Sequence, residues 1–170
     1  KLFVTTTFDP LMKRALDQVR FSATPKTQVL SYTPNTIEDI TSSLRELDRP
    51  VVYHLFGRLS AMPLYAVTEE DTLEFLHMLQ SESRQPRLLL DELNRANLLI
   101  LGCNFGNWLA RFFLRSARRQ RLLEARGSTD YMVDSAVNAD QSLVLFLRHF
   151  SARTKIYSGH SASEFINELH

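Results

Sequence analysis

Short β-forming runs alternate with helix-forming segments along the whole chain, and this alternation constrains the fold more than any other feature. "KLFVTT" (1–6), "TQVLSY" (27–32), "PVVYHLFG" (50–57), "NLLILG" (97–102), "DYMVDS" (130–135) and "TKIYSG" (154–159) are rich in β-branched, aliphatic and aromatic residues and end in polar or turn-forming ones. Between them lie segments with helical signals. "DPLMKRALDQV" (9–19) offers Asp9 as N-cap and Pro10 at the first helical position. "PNTIEDITSSLREL" (34–47) carries Ile37, Ile40, Leu44 and Leu47 at spacings of three and four, which predicts a helix with one apolar stripe. "TEEDTLEFLHML" (68–79) opens on Thr68 and Asp71, a capping-box variant, and Leu73, Leu76 and Leu79 predict its buried face. "RLLLDELNRA" (87–96), "GNWLARFFLRSARRQRLLEA" (106–125), "ADQSLVLFLRHF" (139–150) and "SASEFINEL" (161–169) complete the set, the last capped by Ser161 with Glu164 at the box position.

Strand–helix alternation implies a parallel sheet covered by helices on both faces. The expected class is therefore α/β, a Rossmann-like three-layer α/β/α arrangement, in one domain over residues 1–170. The four apolar residues 98–101 before Gly102 predict a central strand buried on both sides. No internal repeat, low-complexity segment or clear linker interrupts the chain.

Composition narrows the function classes. The 170 residues, 44% hydrophobic and 23% charged, suit an ordinary globular domain with a sizeable core. A formal net charge of +1 gives no electrostatic case for nucleic acid. No apolar run approaches the about 20 residues of a membrane span. Neither nucleic acid nor membrane is therefore expected as a partner. The single cysteine, Cys103, excludes an internal disulfide and a cysteine-rich metal site, so no metal is expected, and it fits a reducing, cytoplasmic location. The chain opens on Lys1 in a β run without an initiator Met, as expected of a piece of a longer protein.

In parallel α/β sheets, ligands sit at the carboxyl ends of the strands. The segments to search are therefore "TTTFD", "HLFG", "GCNFGN", "DSAVN" and "SGHSAS". Thr5 and Thr7 bring hydroxyls to the first of these, but Asp9 repels a phosphate placed on it and serves better as a helix cap. His54 shares a predicted sheet face with Phe56, opposite Tyr53 and Leu55. As a general base it needs a partner that orients it, and a hydrogen-bonded core histidine is the default alternative. Gly102, Cys103 and Asn104 allow close backbone approach and two-way hydrogen bonding, without the three spaced glycines of the dinucleotide fingerprint. Cys103 reads more readily as packing than as a nucleophile. Arg111, Arg115 and Arg118 share one helix face, as a solvated surface or as a patch for an acidic partner or a second copy. Ser158 and Gly159 either meet an adenine or ribose or simply turn the chain.

Taken in order, these segments resemble the later part of the sirtuin-like domains of bacterial defence proteins, over about residues 3 to 169. "VTTTFDPLMKRAL" is similar to the family's T-T-N-Y/F-D-x-L strand end and "VVYHLFGRLS" to its K-L-H-G strand end. "AVTEEDTLEFLHML" is similar to the I/V-T-x-x-D-Y helix start, "LLILGCNFGNWLARFFLR" to L-L-F-L-G-Y-S-L-x-D-W-x-F-R, and "KIYSGHSASEFINEL" to the closing strand and helix. The resemblance implies a site for NAD or ADP-ribose lined by Thr5, Thr7, Phe56, Gly57, Gly102, Cys103, Asn104, Ser158 and Gly159.

It also implies what is missing. The family's catalytic asparagine falls on Thr7, and its catalytic histidine, directly before glycine, falls on Phe56. His54 takes the place of the lysine two positions earlier and is the catalytic candidate to test, beside a residue from the upstream part. The family's N-terminal strand and Gly-Ala-Gly phosphate loop lie upstream of Lys1. A phenylalanine cannot take a proton from a ribose hydroxyl, and a threonine replaces an amide poorly. A four-cysteine zinc module cannot be built from one cysteine, which argues against deacetylation. The resemblance thus implies a degenerate nucleotide-sensing or oligomerisation module, self-associating and fused to an effector such as a TIR-type NAD hydrolase. Two alternatives stand beside it: an active NAD hydrolase with a shifted residue set, and a scaffold that binds no ligand.

Overall fold

The computed structural model describes residues 1–62, 64–102, 129–133, 155–157 and 159–169. The chain divides into two compact units, Lys1–Glu92 and Leu93–His170.

The first unit holds β1 (Leu2–Thr5), α1 (Leu11–Phe21), β2 (Gln28–Ser31), β3 (Val51–His54), α2 (Glu69–Gln80), a 3-10 turn (Glu82–Arg84) and the start of α3 (Arg87–Arg95). Its three strands are parallel in the order β1-β3-β2. The middle strand is the one with the strongest β composition, and all four of its residues are buried. Register places Thr5, His54 and Ser31 side by side at the carboxyl ends. The ladder continues past them, with Leu55 N–H donating to Thr5 O at 2.9 Å and Tyr32 N–H to His54 O at 3.0 Å. The core of this unit gathers Tyr32, Ile40, Val51, Val52, Tyr53, Leu55 and Leu89, none more than 1% exposed.

Helix α1 begins at Leu11, with Asp9 Oδ1 accepting from Leu11 N–H at 2.9 Å. Pro10 stands just outside the helix rather than at its first position, a shift of the size at which helix ends ordinarily vary. The helix ends where Ser22 turns left-handed. The buried Asp17 carboxylate takes Lys13 Nζ at 2.6 Å, Thr27 N–H at 2.8 Å and Lys26 N–H at 3.2 Å. It thereby ties the end of α1 to the start of β2.

The helix expected over 34–47 does not form; the segment is a run of turns and bends. Its spaced apolar residues are partly buried all the same, Ile40 and Leu47 deeply, while Ile37 is exposed. The polar side chains explain why. Glu38 Oε2 accepts from Ser31 N–H and Oγ–H, and the Glu38 carbonyl accepts the Tyr53 hydroxyl at 2.6 Å. Asp39 accepts from Ile40, Leu88 and Leu89 N–H at 2.8–3.0 Å, and so satisfies the first turn of α3 from a distant segment. Ser43 closes a local turn on Glu46. These local and distant bonds compete with the helical ladder, as Ser, Thr, Asn and Asp commonly do.

Helix α2 opens on the expected capping box, with Asp71 N–H donating to Thr68 Oγ1 and Thr68 N–H to Asp71 Oδ2. Its buried face is Phe75, Leu76 and Leu79; Leu73 is 52% exposed, so the face is rotated from the one expected.

The second unit holds β4 (Leu99–Leu101), β5 (Tyr131–Val133), β6 (Lys155–Tyr157) and α4 (Ala162–Glu168), with the strands parallel in sequence order. Among the described residues β5 is the middle strand, with Met132 and Val133 fully buried. Among the described residues β4 lies at an edge of the sheet with Leu99 48% exposed, rather than at the centre expected of the apolar run. Asp130 Oδ1 accepts from Leu98 N–H and Asn97 Oδ1 from Thr129 N–H, cross-linking the starts of β4 and β5. Helix α4 carries the expected capping box of Ser161 and Glu164. The helices expected over 106–125 and 139–150, with Arg111, Arg115 and Arg118, lie outside the described residues.

Parallel sheets with intervening helices make the fold α/β and Rossmann-like.

Candidate functional site

The carboxyl ends of β1 and β3 bring five of the predicted site residues into one neighbourhood of the first unit. Just beyond β1 the chain folds on itself, with Thr7 N–H donating to Thr5 Oγ1 at 3.1 Å and the two threonine hydroxyls 3.0 Å apart. The carbonyls of this turn face the middle strand and the turn after it. Thr5 O accepts Leu55 N–H, Phe8 O accepts Leu59 N–H, each at 2.9 Å, and Thr7 O lies 2.8 Å from His54 Nδ1. A carbonyl oxygen only accepts, so Nδ1 carries the hydrogen and donates. His54 is 2% exposed. The Asp9 carboxyl is held below its ordinary pKa, first by the Leu11 N–H and then by the Thr7 hydroxyl.

Strand β3 ends at His54, so the face alternation expected to pair His54 with Phe56 stops short of Phe56. Phe56 is instead a core residue, 4% exposed, with its ring edge-on to Phe75 of α2 at 6.2 Å between centroids. Its carbonyl accepts Ala66 N–H, and Gly57 forms an antiparallel bridge with Tyr65. Gly57 has φ +77°, and a Cβ there would sit 2.1 Å from the Leu64 carbonyl oxygen. Only glycine satisfies both the dihedral and the approach. Tyr65 in turn stacks at a tilt on Phe8, 4.9 Å between centroids. The turn after β1 and the turn after β3 are thus joined through backbone, His54 and an aromatic pair.

Sequence reasoning missed Phe8 and Tyr65, and the buried polar cluster at the end of β2, where Ser31 donates to Glu38 and Tyr53 bonds the Glu38 carbonyl. Composition carries no signal for these pairings, since the partners are distant in sequence or hidden by an apparent helical stripe. Burial raises the Tyr53 hydroxyl far above the ordinary tyrosine range.

In the second unit Gly102 follows β4 with φ +65°, and no described residue comes within 4 Å of where a Cβ would stand there or at Gly159 after β6. Cys103, Asn104 and Ser158 lie outside the described residues. Among the described residues no group of three or more His, Cys, Asp and Glu side chains is placed to hold a metal ion. No described helix is long and apolar enough to cross a membrane.

No curated protein and no solved structure matches the chain significantly. A family model described as a SIR2-like domain does match it, over residues 1–153, which include both parallel sheets up to the start of β6 and the whole strand-end neighbourhood of Thr5, His54 and Gly57. The chain belongs to the family of SIR2-like domains.

Proposed function

We propose that this chain is a nucleotide-responsive module that has given up the chemistry of its family. It binds NAD or ADP-ribose at the strand ends of the first unit, with Thr5, Thr7 and Gly57 as lining. It serves a bacterial immune protein by sensing or by self-association, beside a fused effector such as a TIR-type NAD hydrolase. The observation that carries this reading is Phe56, the residue directly before Gly57. It is buried and packed on Phe75, and it offers no proton acceptor where the resemblance calls for a base. Membership of the SIR2-like family supports the nucleotide class. His54, two residues earlier, is 2% exposed and donates Nδ1–H to the Thr7 carbonyl.

The test is incubation of the full-length protein with NAD, with any fused effector inactivated, alongside equilibrium binding of ADP-ribose. Saturable binding without turnover is the expected result. NAD turnover that disappears in His54→Ala would instead establish an active hydrolase and overturn the module.

A further inference from the structure

The turn after β1 has an unusual set of supports. Thr7 N–H is taken by a side chain, Thr5 Oγ1, and Thr7 O also lies against a side chain, His54 Nδ1. Neither main-chain group of Thr7 is thus committed to the β1–β3 ladder, whose last bond at this end runs from Leu55 N–H to Thr5 O. Phe8 O holds the following residue through Leu59 N–H, and at Thr7 itself the support from the neighbouring strand is the His54 imidazole. That imidazole comes from a four-residue strand buried throughout and in register with Thr5, so its ring is already confined before it makes the bond. A confined donor loses little rotamer freedom on bonding, which makes it a stiff strut.

We infer that His54 is a positioning residue that latches the turn at residues 5–9 into a binding-competent shape through its Nδ1–H to the Thr7 carbonyl. Its role rests on the nucleotide-binding reading above, and it differs from that of a base. A base needs the ring to receive a proton, whereas a latch needs only a hydrogen at the Nδ1 position. The two are separable by substitution. In asparagine, Nδ2–H stands as many bonds from Cα as Nδ1–H does in histidine. In glutamine the donor stands one bond further out, and in leucine there is none.

The experiment compares the whole chain with His54→Asn, His54→Gln and His54→Leu. Hydrogen–deuterium exchange is followed over residues 5–11 without ligand, ADP-ribose is titrated by calorimetry, and thermal melting reports the fold. His54→Asn is expected to exchange at the wild-type rate and to keep its ADP-ribose affinity. His54→Leu is expected to exchange about tenfold faster in that segment and to bind about tenfold more weakly, the scale of one positioning hydrogen bond. His54→Gln is expected to follow His54→Leu, and it supplies the donor-displaced comparison if the leucine variant fails to fold. Equal behaviour of the Asn and Gln variants, or unchanged exchange in His54→Leu, overturns the latch. Absence of any ADP-ribose binding by the wild-type chain overturns the nucleotide reading instead, while the exchange contrast still decides the latch.

Discussion

Gly57 shows how far a single residue can be read. A glycine at a strand end is an ordinary turn signal, and its place after Phe56 carried the resemblance to an H-G motif. Only the fold reveals that its missing Cβ makes room for the Leu64 carbonyl at a positive φ. Gly57→Ala is accordingly expected to lower stability by about 2 kcal/mol or more in urea denaturation, since the left-handed backbone alone costs roughly 1–2 kcal/mol. Two buried tyrosines offer a sharper contrast. The Tyr53 hydroxyl donates to Glu38 O at 2.6 Å, while the buried Tyr32 hydroxyl has no partner among the described residues. Tyr53→Phe is expected to cost about 1 kcal/mol, and Tyr32→Phe to be neutral or stabilising. Parallel denaturation curves for the two variants decide it, and an equal loss would contradict the pairing.

At the scale of elements, the capping boxes were legible because cap and partner lie three residues apart: Thr68 with Asp71 and Ser161 with Glu164. The start of α3 was not legible in the same way. Its first-turn N–H groups at Leu88 and Leu89 are accepted by Asp39, from 49 and 50 residues earlier. Asp39→Ala is expected to destabilise the chain by about 1–2 kcal/mol, as loss of a cap does. The measurement is denaturant unfolding, and Asp39→Asn, which keeps one acceptor oxygen, should lose less. The Asp17 clamp gives a pH signature. Lys13 first, then the Thr27 and Lys26 N–H groups, hold its carboxyl well below the usual carboxylate range. A depressed folded pKa means stability that is present above the unfolded value and lost as the pH falls through the folded one. Asp17→Asn should therefore melt lower than wild type at pH 7, with the gap closing as the pH drops below about 4. A gap that stays constant across a melting series from about pH 7 to about pH 2 would exclude the clamp.

For the whole molecule, the alternation of β runs and helices determined the α/β class and the parallel sheets, because neighbour-to-neighbour patterning survives any tertiary rearrangement, while the family was legible in the order of short motifs. A bound ligand must stabilise the folded state, so ADP-ribose at about a hundred times its dissociation constant should contribute about 2.7 kcal/mol and raise the melting temperature of the chain. No shift up to millimolar concentrations would favour a scaffold without a ligand. The sequence by itself placed Thr5, Thr7, His54, Phe56 and Gly57 at strand ends, since strand limits follow from local composition. It could not tell that residues 34–47 would spend their carboxylates on distant backbone instead of winding into a helix. Nor could it tell that Phe56 would turn into the core against Phe75, or that His54 would reach the Thr7 carbonyl. Those outcomes were decided by tertiary structure. They depend on which polar groups and rings from distant parts of the chain come within bonding distance, and periodicity along the chain holds no record of that.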